Sequence, residues 1–132
     1  MLLVCVYSAD SQAEFVWLIS GDNRNSASAE VRQAKLKSYR DLCSQGDSFG
    51  QFLLGQCYLY GFGVSRDYKR AAELYTLSAE QGNAWGQYRL GHCYYMGHGV
   101  TKNRDLARQW WKRAAAQDHE DAKDCLENWF NE

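Results

Sequence analysis

A catalytic or metal site needs several polar side chains that converge, and the candidates in this 132-residue sequence are His92, Cys93, His98 and His119. Imidazole and thiolate groups bind zinc, and a cysteine next to a histidine can act as a nucleophile. However, His92 and Cys93 are adjacent on a predicted helix and therefore point about 100° apart. No Ser-His-carboxylate arrangement, phosphate-binding glycine motif or zinc-ligand spacing occurs. The sequence therefore predicts no catalytic residue, no metal site and no cofactor, and an enzyme or metal-binding protein stays as an alternative.

A basic cluster lies between His98 and His119 along the chain. Its members are Lys102, Arg104, Arg108 and Lys112, with Arg113, Trp110 and Trp111 beside them. On a helix, positions 104, 108 and 112 form one stripe, which we interpret as a solvated outer face. The alternatives are an electrostatic patch for an acidic partner or RNA, or a contact with the acidic end of a neighbouring chain. Because the formal net charge is -1, we expect neither nucleic acid nor a membrane as the partner, whereas weak self-association stays open.

The elements that position these residues come from an internal repeat. The string LGQCYLYGFGV, which begins at Leu54, returns as LGHCYYMGHGV from Leu90, so the period is 36 residues. A period of this size is typical of solenoid proteins. The register continues at lower fidelity beyond residue 117, where Ala122, Leu126 and Phe130 match the apolar positions of the earlier copies.

Within each copy the apolar spacing is helical. Gly50, Leu54, Cys57 and Tyr58 fall on one stripe of a first helix, which a glycine-rich turn then ends. Asp67 and Asn103 follow at equivalent positions and suit the N-cap of a second helix. We expect the inward side chains of the two second helices to be Ala71, Leu74, Tyr75 and Ala79, and Ala107, Trp110, Trp111 and Ala115.

The unit resembles the Sel-one-like repeat (SLR) family, whose modules are related to tetratricopeptide repeats. The resemblance rests on the Ala/Gly-x-x-x-Leu-Gly-x-x-Tyr-x-x-Gly-x-Gly-Val run, the Asp or Asn three residues after the valine, and the SAEQG ending at Gly82. It implies an all-α fold, a short α/α solenoid of helix-turn-helix repeats. It also implies a non-enzymatic adaptor or scaffold, in a bacterial adaptor, effector-associated or regulatory role, that binds a protein or peptide.

The predicted organisation is one solenoid domain over residues 1–132. It comprises a degenerate repeat (1–45), two full repeats (46–81 and 82–117) and a C-terminal capping helix (118–132). Gly50, Gly55, Gly86 and Gly91 lie inside helices, where glycine is unfavourable, so we expect neighbouring helices to approach closely there. The third copy has Glu127 at the position of Gly55 and Gly91, which favours a helix with a polar outer face.

The candidate partner site is a concave groove formed by the first helix of each repeat. Opposite the core stripe lie Phe52, Gln56 and Leu59 in one copy and Tyr88, His92 and Tyr95 in the next. Packing within a single repeat does not require these side chains, so they are predicted to contact the partner. On this reasoning, replacing Tyr88 and Tyr95 by alanine leaves stability nearly unchanged.

The N-terminal apolar segment leaves an alternative open. Phe15, Val16, Trp17 and Leu18 either form the first helix of the degenerate repeat or lie across the groove and fill it.

Five cysteines, an odd number, favour a reducing, cytoplasmic location over a disulfide framework. The opening MLLVCVYSA is apolar like a signal peptide, but it has no basic residue before the apolar run, and the run is short. Export is therefore kept only as the alternative. Cys57 and Cys93 share one repeat position and are predicted to be small buried core residues.

Overall fold

The computed structural model describes residues 27–131, which contain helices and turns and no strand. The helices are α1 (Ala27–Ser44), α2 (Ser48–Tyr60), α3 (Tyr68–Glu80), α4 (Ala84–Met96), α5 (Arg104–Ala115) and α6 (Glu120–Phe130). Each helix packs against the next one in the chain, and α2 also packs against α4. The predicted all-α solenoid fold is confirmed. The predictions for the opening MLLVCVYSA and for the segment from Phe15 to Leu18 lie outside the described residues.

Polar side chains begin the helices at positions that follow the 36-residue period. Asp67 Oδ1 accepts a hydrogen bond from the Arg70 amide at 3.1 Å, and Asn103 Oδ1 accepts one from the Leu106 amide at 3.1 Å. These contacts satisfy amide groups that have no partner within the helix. The N-caps predicted at Asp67 and Asn103 are therefore confirmed.

The helix pair within each repeat is set by an aromatic ring lying against a glycine. A Cβ atom added at Gly55 would lie 2.7 Å from Cε1 of Tyr75, and one added at Gly91 would lie 2.5 Å from Cδ1 of Trp111. Tyr75 and Trp111 share one repeat position and are both fully buried. The close approach predicted from the helical glycines is thus present in both copies.

Paired glutamine side chains join the same helices at a second point. Gln81 Nε2 donates to Gln51 Oε1 at 2.7 Å, and Gln117 Nε2 donates to Gln87 Oε1 at 3.0 Å. Gln51 and Gln87 are almost completely buried, so this bond satisfies a polar group that would otherwise be costly to bury. The glutamines that repeat in the sequence therefore have a structural role.

Two groups of buried residues form the core. The larger group extends from Leu36 in α1 to Cys93 in α4, and the smaller one joins Ala107 and Trp111 of α5 to Leu126 of α6. Cys57 and Cys93 are buried and free, as predicted. Of the inward positions predicted for α5, Trp110 and Ala115 are only partly buried, and Ala114 is fully buried instead.

Successive repeats also meet at a glycine, and Gly86→Ala tests this contact. Helix propensity alone predicts that alanine stabilises a helix by about 1 kcal/mol relative to glycine. Here, however, the new Cβ would lie 2.7 Å from Cβ of Ser78 and 2.9 Å from the backbone nitrogen of Ala79. Because a backbone atom of α3 cannot move aside cheaply, we expect a loss of about 1–3 kcal/mol in the free energy of unfolding. Urea denaturation measures it, and a stabilised variant would contradict the close approach.

Candidate functional site

The first-copy groove residues do not form an exposed surface. Phe52 and Gln56 are 0% exposed, so the prediction that they face away from the core is wrong. Leu59 is half-buried.

The reason is that α2 has neighbours on several sides. The Phe52 ring centroid lies 5.7 Å from that of Phe49, 6.2 Å from that of Tyr75 and 6.1 Å from that of Trp85. Gln56 Oε1 accepts a hydrogen bond from the Tyr75 hydroxyl. Trp85 belongs to the next repeat, so the helical wheel of a single repeat does not include it.

The second-copy groove residues are half-buried and pack against α6. The Tyr95 ring stacks on that of Trp129, with centroids 4.5 Å apart. The His92 ring lies edge-on to those of Trp111 and Trp129, at 5.4 Å and 5.9 Å. Thus His92 and Tyr95 hold the C-terminal helix α6 in place. The helical wheel of a single repeat does not indicate this structural role.

Tyr88 completes this packing at the other end of α6. Its ring stacks on that of His119 with centroids 4.7 Å apart, and its hydroxyl lies 3.1 Å from Nε2 of His92. His119 caps α6, because its Nδ1 accepts a hydrogen bond from the Ala122 amide at 3.2 Å. The candidate metal ligands His92 and His119 therefore have packing and capping contacts. Within residues 27–131, no three His, Cys, Asp or Glu side chains are grouped to hold a metal ion.

Two members of the predicted basic patch are engaged within the chain. Cζ of Arg104 lies 5.1 Å from the centroid of the Phe130 ring, and Cζ of Arg108 lies 5.8 Å from it. Arg104 Nη2 also donates to the carbonyl oxygen of Trp129 at 3.2 Å, near the C-terminus of α6. The stripe is therefore not purely solvated, and a patch extended by Lys102 and Lys112 stays a prediction.

A cleft of about 520 Å³ opens where the C-terminal ends of α2 and α4 meet. We call it the α2–α4 cleft. Its lining residues are Leu59, Tyr60, Arg66, Tyr68, Tyr75, Arg89, His92, Cys93, Met96, His98 and Trp129. The structure therefore brings together two of the predicted groove residues, Leu59 and His92, and adds side chains from α2, α3, α4 and α6 and from the turns after α2 and α4.

Sequence reasoning missed most of this lining, although two signals were present. The first signal is that Tyr60 and Met96 are large side chains at one repeat position, directly after Leu59 and Tyr95. In the structure both are exposed, at 40% and 54%. Arg89 stands where the first copy has Leu53, a core residue. The second signal is this replacement of a core leucine by an arginine, which indicates that the position has a different role in the second copy.

Burial holds two titratable side chains of the cleft, those of His92 and Cys93, in their neutral forms. Burial lowers the pKa of the His92 imidazole to about 4, with the charges of Arg89 and His98 acting in the same direction and Asp121 opposing them. Burial raises the pKa of the Cys93 thiol to about 12, against the opposing charge of Arg89. A protonated thiol is a poor nucleophile, so these two groups are suited to packing more than to chemistry.

Two segments of the chain match a known family of repeat proteins. The family model of the Sel1 repeat matches residues 48–83 and 86–119, which is just over half of the chain. The chain belongs to the Sel1 repeat family. Sel1 repeats in general form non-catalytic scaffolds for protein interactions. The matched segments coincide with the two helix pairs α2–α3 and α4–α5.

Solved structures of bacterial Sel1 repeat proteins are similar to it. A Sel1 repeat protein from Oxalobacter formigenes shares 33% sequence identity, with a TM-score of 0.65, over 74% of this chain and 41% of that one. The protective antigen c5321 of uropathogenic Escherichia coli, which has an SLR fold, shares 27% identity, with a TM-score of 0.66, over 89% and 25%. This chain thus spans less than half the length of either.

Helicobacter pylori cysteine rich protein B shares the fold with a TM-score of 0.68, at 21% identity, over 92% of this chain and 99% of that one. No curated protein matches the chain significantly. Among the described residues, no helix is both long enough and apolar enough to cross a membrane.

Tyr88→Ala combined with Tyr95→Ala tests the packing of α6. The structure reverses the expectation of unchanged stability, because both rings stack on residues at the ends of α6. We expect the free energy of unfolding to fall by about 2–4 kcal/mol, which is less than for two fully buried aromatic residues. Chemical denaturation followed by tryptophan fluorescence measures the loss, and an unchanged midpoint would show that the rings are not needed for packing.

The lowered pKa of His92 predicts a pH-dependent stability. Its folded pKa of about 4 is below the ordinary value of 6.5, so the unfolded state binds more protons between these values. The free energy of unfolding therefore has its full value above about pH 6.5 and decreases as the pH falls towards 4. The decrease due to His92 is on the order of 1 kcal/mol after allowance for partial exposure. The pKa of His119 is lowered in the same direction. The free energy of unfolding, measured at both ends of this pH range, should differ less in His92→Gln than in the wild type. An equal difference in the two proteins would contradict the lowered pKa of His92.

Proposed function

We propose that this protein is a non-enzymatic adaptor that binds a protein or peptide partner in the α2–α4 cleft. The observation that carries the proposal is the cleft itself, which has about 520 Å³ of space and mostly apolar or aromatic lining. This volume lies within the range of about 300–1,000 Å³ that is usual for binding pockets and is enough for a few side chains of a peptide.

The exposed side chains around the cleft support this choice of surface. Tyr60 is 40% exposed, Met96 54% and Trp129 39%, and all three line the same cleft. Large apolar side chains are costly to leave in water, and aromatic and methionine side chains are enriched at the centres of protein interfaces. The groove residues predicted from the sequence thus contribute through Leu59 and His92, with Tyr88 and Tyr95 as the packing that holds this surface.

The expected cytoplasmic location stays a prediction, as does self-association between the basic and acidic ends of the chain. For self-association, Arg104 and Arg108 would have to contact a second chain in addition to the Phe130 ring that they already contact.

The test replaces the exposed apolar side chains of the cleft by neutral polar ones. We expect Tyr60→Ser combined with Met96→Ser to weaken binding of the physiological partner at least about tenfold, because contact residues at the centre of an interface contribute about 1–2 kcal/mol each. The partner is identified by affinity capture from the source cells with mass spectrometry, and its affinity for the purified full chain is then measured directly.

A matched pair on other surfaces provides the control. Val31 in α1 and Leu77 in α3 are exposed apolar residues, at 46% and 49%, and do not line the cleft. Val31→Ser combined with Leu77→Ser should leave the affinity unchanged. Equal losses in the two double variants would contradict a binding site in the cleft.

A further inference from the structure

The guanidinium group of Arg89 is the feature of the cleft that packing explains least. The equivalent positions in the neighbouring copies are Leu53, which is 1% exposed, and Cys125, which is 8% exposed. The two neighbouring copies in the described part of the chain therefore place a core side chain at this position, whereas α4 places a charge there. Replacing a buried leucine by arginine costs stability unless the charge finds a partner.

Within the described residues, Arg89 contacts aromatic rings and forms no ion pair with a carboxylate. Its Cζ lies 5.9 Å from the centroid of the Tyr60 ring and 5.6 Å from that of Tyr88. These rings hold the planar guanidinium group in place. Its Nε is buried and has no hydrogen-bond acceptor. The side chain is thus positioned in the cleft with part of its hydrogen-bonding capacity unused.

The charge of the cleft is one-sided. Arg66 and Arg89 line it, and none of its described lining residues is an aspartate or a glutamate. The charge of Arg89 also reaches the buried groups around it, since it lowers the pKa of His92 and opposes the rise in the pKa of Cys93. A low-dielectric pocket with a net positive charge favours a ligand that brings a negative one.

We propose that the α2–α4 cleft recognises a peptide segment in which a carboxylate lies next to an aromatic or other large apolar side chain, and that Arg89 binds the carboxylate. The apolar lining from Leu59, Tyr60 and Met96 receives the neighbouring side chain. This inference rests on the proposed function and specifies the chemistry of the partner. A guanidinium group binds a carboxylate through two parallel N–H donors, and none of the described aspartates or glutamates lines the cleft to occupy those of Arg89.

The carboxylate has two possible sources, a peptide C-terminus or an acidic side chain, and three synthetic probes separate them. Acetyl-Ala-Leu-Phe has a free terminal carboxylate. Acetyl-Ala-Phe-Asp-Ala-amide has a carboxylate only in its side chain, and acetyl-Ala-Leu-Phe-amide has none. Each probe is titrated into the ¹⁵N-labelled full chain. Its affinity is measured from the changes in amide chemical shift in two-dimensional NMR spectra.

We expect at least one acidic probe to bind about tenfold or more tightly than the amide probe, because a charge-assisted hydrogen bond is about twice as strong as a neutral one. Arg89→Gln should remove this preference, and Arg89→Lys should retain part of it, since lysine keeps the charge and loses the paired donors. Raising the salt concentration should weaken binding of the acidic probes more than that of the amide.

Arg113→Gln is the matched control. Arg113 also lies on an aromatic ring, with its Cζ 4.6 Å from the centroid of Trp110, and it does not line the cleft. This variant should bind all three probes like the wild type. Thermal unfolding of Arg89→Gln and Arg89→Lys checks that both variants are folded.

Each other outcome overturns the inference. Equal binding of acidic and amide probes would leave the cleft as a binding site and exclude carboxylate recognition, so the proposed function would survive on its own. Absence of binding by every probe, or a preference unchanged in Arg89→Gln, would exclude Arg89 as the recognition group. A dimer that depends on Arg89 in sedimentation would identify a second copy of the chain as the occupant instead.

Discussion

The contact between an aromatic ring and a helical glycine is the constraint on which the rest of this solenoid depends. Tyr75 against Gly55 and Trp111 against Gly91 leave no space for a Cβ atom, so each repeat has one spacing between its helices. The polar atoms of both rings are also satisfied, because Tyr75 donates to Gln56 and Trp111 Nε1 donates to the Tyr88 carbonyl oxygen at 3.0 Å. Steric exclusion and hydrogen bonding therefore select the same arrangement.

The differences between the two repeats follow from this contact. Gln56 and His92 share one position and face Tyr75 and Trp111, which share another. A glutamine accepts a hydrogen bond from a tyrosine hydroxyl, whereas a neutral imidazole packs edge-on against an indole ring. The low pKa of His92 keeps it in the neutral form that this packing needs. The difference between Gln56 and His92, which resembles a recognition difference in the sequence, is thus matched to the aromatic ring that each side chain contacts.

Arg89 is a departure of another kind, because its position is apolar in the copies on either side. The charge lies among aromatic rings and near neutral histidine and cysteine side chains, where it has a strong field and few ways to be compensated. Repeat proteins tolerate such a departure because each unit draws stability from its neighbours. One position can therefore be given to binding while the Gly-aromatic contacts and the paired glutamines keep the fold.

The sequence by itself determined the fold, because local patterns encode it: the 36-residue period, the helical apolar stripe, the N-caps at Asp67 and Asn103, and the glycines at close contacts. It also identified Cys57 and Cys93 as core residues. Only the tertiary structure decided which remaining side chains are exposed. Phe52 is covered by Trp85 of the next repeat and Tyr95 by Trp129 of α6, and neither contact appears on the helical wheel of one repeat. A surface formed between repeats depends on how neighbouring units stack, and that geometry is absent from any single unit.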